Sequence, residues 1–492
     1  MAVLTFIGGI VLLILGYIFY GSYIERNFQI NPDRLTPAEV LQDGMDFVPM
    51  PRWKNCIIEL LNIAGTGPIF GPIMGALYGP AAYIWIVLGC IFAGAVHDYM
   101  IGMISLRNNG AHLPELAAKY LGKPVRHLVN IFIMLLLLLV GTVFVISPAT
   151  LIADISPDFI GIGLTTFLIF VYYIISTFLP IDQAMGKVYP WFAGILILST
   201  VAMGIALLTG GYQLPDLNVA HLTNIHPNHT PIFPALFFTV SCGAISGFHA
   251  TQTPMVSRTM TKEREGRITF YGMMIAEGII AMIWAAASMT LFEGRSLAEM
   301  IQTGTPSYVV NQVSVLLLGN VLGTAAILGV IVLPISSGLS AFRSLRNILA
   351  EYIGFKQDTA RRVLTLTLPI FAVAFVLTMM DFNIIWRYFN WANQVTAVIS
   401  LFVSTRYLFL HQRNYWVTFL PAVLMLYACV AYILSQPIGF NLGLGFLTHG
   451  FSILISTTIT LLFIKSGRVQ KNRLDPGHAL LNDHLPIQTL AR

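Results

Sequence analysis

Apolar runs of about 20 residues, the length a helix needs to cross the hydrocarbon of a bilayer, recur thirteen times in this chain. They lie near 2–21, 55–78, 81–106, 127–153, 160–180, 188–210, 232–257, 268–292, 319–345, 361–380, 383–405, 415–435 and 445–465. Lipid offers no partner to an open sheet edge, so runs of this length and number specify a bundle of spanning helices. The expected fold is therefore all-α and polytopic. With 56% hydrophobic and only 10% charged residues, the chain falls outside the range of a soluble globular domain and of a nucleic-acid binder. The first run has no basic residue ahead of it and is too long for a signal-peptide core, so it reads as a retained span. The stretch 295–318 is too polar to cross and is expected to form a short external helix. Cys56, Cys90, Cys242 and Cys429 lack metal-ligand spacing and read as packing residues.

Lysine and arginine collect in short cytoplasmic loops and so fix orientation. With the N-terminus outside, the connections 22–54, 107–126, 181–187, 255–267, 343–362 and 406–413 and the C-terminal end carry all 27 Lys and Arg except Arg295 and Arg387. The net charge of +5 is on this reading a topology signal, with the C-terminus cytoplasmic.

Two runs are interrupted where a helix should be most regular. "NIAGTGPIFGP" (62–72) and "SCGAISGFHATQTP" (241–254) place Gly, Pro and hydroxyl residues inside apolar segments. In lipid the freed backbone groups need cover from protein or a watery cavity. A glycine-packed kink would explain either interruption alone. Each, however, leads a set of five spans, and because five is odd the second set must run inverted. That is the plan of many secondary transporters, whose paired broken helices meet near the midplane and hold substrate and ions. It divides the chain into an N-terminal extra helix and loop (1–54), a first five-helix repeat (55–210), a second inverted repeat (211–405), two C-terminal helices (406–465) and a tail (466–492). The candidate substrate residues are Gly65, Thr66, Gly67, Pro68, Ser246, Gly247, Phe248 and His249.

Ser336, Ser337 and Ser340 in "LPISSGLSAFRSLRN" put hydroxyls on adjoining helix faces. In the LeuT-type plan such hydroxyls hold sodium with carbonyls of the first broken helix; back-bonding within the helix is the structural alternative. Ionisable residues at depth are costly and therefore candidates for function. His97 and Asp98, adjacent and so on different helix faces, are expected to find separate partners as a proton site or a helix-end anchor. Glu277 must face protein or a cavity. Arg387 pairs either with a substrate carboxylate or with Glu277 or Asp381. His249 is a substrate or proton ligand, or a satisfied structural histidine. Glu59 is placed at the inner mouth of a pathway.

The blocks "AGTGPIFGPIMGALYGP", "WIVLGCIFAGAVHDYMIGMISLRNNG", "CGAISGFHATQ" and "YGMMIAEGIIAMIWAAAS" resemble the carbon starvation protein A (CstA) family of bacterial peptide and pyruvate transporters. The resemblance covers about 55–350. It implies a LeuT-like fold of the amino acid–polyamine–organocation type, and inner-membrane uptake of small carbon sources during starvation. The chain departs from the family in reading "IIELLNIAG" where His-Phe is expected before the first break.

A cation-coupled symporter is the reading these features support, driven by a proton or by sodium, with no other cofactor or metal. An uncoupled channel or a membrane substrate sensor is the alternative. There is no GxxxxGK[ST] loop for ATP drive, and no HExxH or GxSxG for an intramembrane enzyme. Pyruvate and short peptide both remain open as substrate, the lipid bilayer is the expected surrounding, and oligomeric state is not encoded.

Overall fold

A computed structural model describes residues 2–156, 159–178, 189–218 and 222–473. The expected loop 181–187 and most of the tail 466–492 lie outside the described residues. Everything regular among those described is helical. In chain order the helices are α1 (Val3–Phe28), α2 (Arg52–Ala64), α3 (Gly67–Gly75), α4 (Ala81–Arg107), α5 (Leu113–Leu121), α6 (Lys123–Ile155), α7 (Ile162–Ser176) and α8 (Tyr189–Thr209). They continue as α9 (Ile232–Thr239), α10 (His249–Ser257), α11 (Glu263–Leu291), α12 (Gly294–Ile353), α13 (Ala360–Leu377), α14 (Phe382–Leu410), α15 (Trp416–Ser435) and α16 (Phe446–Gln470).

Nine of these helices are long and apolar enough to span, or ten when the bent pair α2–α3 is taken as one. The other three expected runs are also helical, but each falls short for its own reason. Helix α7 has 15 residues. The second interrupted run consists of halves of 8 and 9 residues, too short singly for a hydrocarbon layer of about 30 Å. In α14, Arg387, Asn390, Asn393 and Gln394 dilute the apolar character. The expected non-spanning stretch 295–318 forms the first part of α12, which leaves helical geometry at Thr305 and Gly319 before the apolar run.

Burial sorts the helices into layers. In α4, 83% of the apolar window is buried, and in α6 and α11 72%, whereas α1 has 22% and α16 17%. Large apolar side chains stand on the outside, among them Phe19, Trp191, Val321 and Phe446. A water-facing surface would not carry so many; a lipid-facing one does. The protein is a multi-pass membrane protein.

Below the bundle, Glu263 ties three segments together. Its fully buried carboxylate accepts from Arg107 Nε at 2.8 Å and Nη2 at 3.0 Å, and from the Asn31 N–H at 2.6 Å, with Arg34 Nε at 3.4 Å. Arg107 also donates to Tyr407 Oη and the Gln29 carbonyl, and its guanidinium lies 4.2 Å from the Phe28 ring centroid. The fork thus joins the ends of α1, α4, α11 and α14 with nearly every donor used. Removing one partner of such a pair leaves a buried charge uncompensated, at a cost of about 3–5 kcal/mol. Arg107→Ala is expected to lower the melting midpoint of the detergent-solubilised protein by several degrees. Adding Glu263→Ala should restore part of the loss, and fully additive losses in size-exclusion melting curves would refute this pairing.

Candidate functional site

The first interruption is built at Gly65, whose φ of +49° lies in the region that side chains avoid. A Cβ there would stand 2.3 Å from the Phe144 ring. Thr66 then opens α3, with Gly67 and Pro68 in its first turn, where proline's missing N–H costs nothing. The axis bends by 45° between α2 and α3. In the second interruption the chain is non-helical between Thr239 and His249, with Gly243 at φ +89°.

The two interruptions touch. A Cβ on Gly67 would fall 2.3 Å from Cys242 Cβ and Sγ, so only hydrogen fits at that point. Gly247 lies against α14 just as closely, 2.1 Å from the Asn393 carbonyl oxygen by the same measure. Helix α14 also supplies the hydrogen bonds that the bent backbone lacks. Asn393 Oδ1 accepts from the Phe248 N–H at 2.7 Å and Ser246 Oγ at 3.1 Å. Gln394 Nε2 donates to the Ile245 carbonyl at 2.9 Å, and Ser241 Oγ donates to Asn390 Oδ1 at 3.1 Å. Sequence reasoning passed over these amides, although three of them at helical spacing inside one apolar run was a readable signal.

A line of ionisable groups runs beside the interruptions. Asp98 shares Oδ1 with His97 Nδ1 at 2.7 Å and Oδ2 with His249 Nδ1 at 2.8 Å, and His249 Nε2 lies 3.4 Å from Glu277 Oε2. All four side chains are fully buried. The expectation of separate partners for His97 and Asp98 is thereby corrected: a carboxylate has two oxygens, and Asp98 turns one back to its own neighbour. Glu277 meets His249 and not Arg387. Cys242 also belongs here, beyond the packing role expected of it, since one donor atom each from Cys242, His249 and Glu277 lie within 4.8 Å of one another. That spacing would admit a cation; His249 bonds Asp98 through Nδ1, while its Nε2 approaches Glu277 without a hydrogen bond, so the line is a chain of close titratable groups.

The remaining candidates separate. Ser337 Oγ donates to the Leu61 carbonyl of α2 at 2.6 Å, joining α12 to the first interrupted helix. Ser336 and Ser340 bond back to Leu333 and Ser337 carbonyls within α12. Glu59 is fully buried in α2. Arg387 does not join the cluster: it is exposed near the start of α14, and Asp381 is occupied capping that helix through the N–H groups of Asn383 and Ile384.

A model of the family described as carbon starvation protein CstA matches residues 1–178 and 163–381. An uncharacterized membrane protein of Haemophilus influenzae is 43% identical over 345 residues, covering 60% of this chain and 93% of that protein. The pyruvate/proton symporter BtsT of Escherichia coli is 27% identical over 350 residues, 57% of this chain and 48% of that one. The peptide transporter CstA of Escherichia coli is 28% identical over 347 residues, 56% and 48% respectively. The chain thus spans about half the length of these two transporters. Among solved structures, a mutant of the Eremococcus coleocola manganese transporter aligns over 88% of this chain and 99% of its own at TM-score 0.53 and 11% identity, a likeness of fold alone. The two Escherichia coli relatives and the aligned structure are transporters and not enzymes.

The geometry makes Asn393 the main support of the second interruption. Asn393→Leu would leave the buried Phe248 N–H and Ser246 hydroxyl without their acceptor, at about 1–3 kcal/mol each. A melting midpoint several degrees lower in detergent is expected, and an unchanged one would show that the amide does not hold the bend.

Proposed function

The chain belongs to the carbon starvation protein CstA family, and on that premise we propose that it is a cation-coupled secondary transporter importing a small carbon source, pyruvate or a short peptide, across the bacterial inner membrane. The observation that carries this reading is the contact of the two interrupted backbones beside the His97–Asp98–His249–Glu277 line. Irregular backbone at depth persists only where protein or a cavity encloses it, and paired interruptions are where transporters of this plan hold substrate and ion. Gly65 to Pro68 and Ser246 to His249 would line the substrate site. The five-plus-five arrangement, 55–210 and 211–405 about an axis in the membrane, with the N-terminus outside and the C-terminus cytoplasmic, is part of the same proposal, as are a LeuT-like fold and uptake under carbon starvation.

The coupling ion on this reading is a proton. A histidine between two carboxylates can hold one through either ring nitrogen, and a change in which carboxylate it faces would deliver the proton from one side to the other. Sodium is the second reading, favoured by Ser337 against the Leu61 carbonyl at the end of α2.

Purified protein in liposomes tests both. Labelled pyruvate and a labelled dipeptide are offered under separately imposed proton and sodium gradients. Accumulation of one of them under the proton gradient, abolished by a protonophore, is expected. Glu277→Gln should lose that accumulation yet retain exchange of labelled for unlabelled substrate, because exchange needs no net proton movement. No gradient-driven uptake of either substrate would sink the proposal.

A further inference from the structure

Three carboxylates are buried near one another inside the bundle, and they are not equally served. Asp98 is hydrogen-bonded to two histidines, and Glu277 lies 3.4 Å from one of them without a hydrogen bond. Glu59, on α2, is fully buried, and neither of its oxygens has a hydrogen-bond partner among the described residues. Asp98, His249 and Glu277 act on it electrostatically, so it belongs to the same region, and the histidine among them already bonds Asp98 through Nδ1. A carboxylate held out of water with no cation is expensive, and at membrane depth its partner must come from protein or ligand.

The surroundings of Glu59 share this want. Asn62, one turn further along the same face of α2, is fully buried with both Oδ1 and Nδ2 unpartnered among the described residues. Thr66, just beyond the bend, has an unpartnered Oγ1. Helix α10, which packs on α2, adds Gln252 Oε1 and Thr253 Oγ1, both buried and unpartnered. Acceptors outnumber donors in this set. Asn62 also lies in the last turn of α2, where the partial negative charge of the helix end attracts a cation.

We propose that Glu59, with Asn62 and Thr66, receives the primary ammonium group of the substrate. The transported class would then be an amino-terminated zwitterion, such as a short peptide, in preference to a keto acid. An ammonium brings three N–H donors to acceptors that lack them, whereas pyruvate carries acceptors only and would add to a set already short of donors. This deepens the transporter reading of the same site and rests on it for the word "transported", but recognition itself can be measured without transport.

The test is equilibrium binding to the purified full-length protein in detergent, with L-alanyl-L-alanine, its N-acetyl derivative and pyruvate as probes, in sodium and in choline buffers. Dialanine is expected to bind at least tenfold more tightly than either other probe, in both buffers. Glu59→Gln should reduce dialanine to the level of the acetylated peptide. Its melting midpoint should be unchanged or raised, because the amide brings N–H donors to a set short of them; a mere structural role would lower it. Equal affinities for free and acetylated dipeptide, preferred binding of pyruvate, or a Glu59→Gln variant that binds dialanine as the parent does would each overturn the proposal while leaving the transporter reading intact. A sodium requirement that disappears in Glu59→Gln, with the amine making no difference, would assign these oxygens to the ion and overturn it as well. Tight dialanine binding without gradient-driven uptake would instead defeat the transporter reading and leave this inference standing.

Discussion

The structure depends on two interrupted backbones being pressed together so closely that no side chain fits between Gly67 and Cys242. Hydrocarbon cannot hydrate the peptide groups released at the two bends, so they must be enclosed and paired by protein. Enclosure comes from the most buried helices, α4, α6 and α11. Pairing comes from α14, where Asn393 and Gln394 take up the Phe248 N–H and the Ile245 carbonyl and Asn390 and Asn393 hold the Ser241 and Ser246 hydroxyls. The apolar outer helices then cover a polar interior that would otherwise meet lipid. Read in this order, the bends dictate the layers around them.

Much of this was legible in the chain. Every expected run is helical, because twenty apolar residues in succession have few alternatives, and both interruptions fall where Gly and Pro announced them. What could not be read were contacts that depend on the bends themselves. Glu277 and His249 are neighbours because α10 starts from the second bend at the depth of α11, which no spacing rule predicts. Arg387 sat within an apolar run, and hydropathy alone does not separate a side chain facing the bundle interior from one exposed on its outside. The amides of "NWANQ" were visible, but their purpose is set by a segment 145 to 149 positions away in sequence.

A finer feature sets the rotational phase of the ionisable residues. Helices α1, α4 and α11 each contain one widened π turn, at Gly16–Gly21, Cys90–Gly94 and Arg267–Gly272. One additional residue in a turn rotates everything beyond it by about 100°. The turns of α4 and α11 come just before Asp98 and Glu277, and so aim both carboxylates at His249. The three turns also nest: Gly16 lies against Ile91, Gly21 against Tyr271, and Tyr271 Oη donates to the Ile91 carbonyl at 2.9 Å. A carbonyl left over by the wider turn is thereby satisfied by a side chain of its neighbour.

The degree of satisfaction separates scaffold from site. At the base of the bundle Glu263 has two arginines and a backbone N–H, and Arg107 spends its fork on a carboxylate, a phenol and a carbonyl. Such a cluster has one low-energy arrangement and holds its helices in register. Among the bends, by contrast, three carboxylates lie near two histidines, and the amide and hydroxyls of Asn62, Thr66 and Thr253 have no partners among the described residues. An interior that leaves so many polar atoms unmatched is stabilised by whatever enters to match them, and loses that stability again on release. A carrier needs that imbalance at the centre of its cycle, and a saturated network such as the one at Glu263 could not supply it.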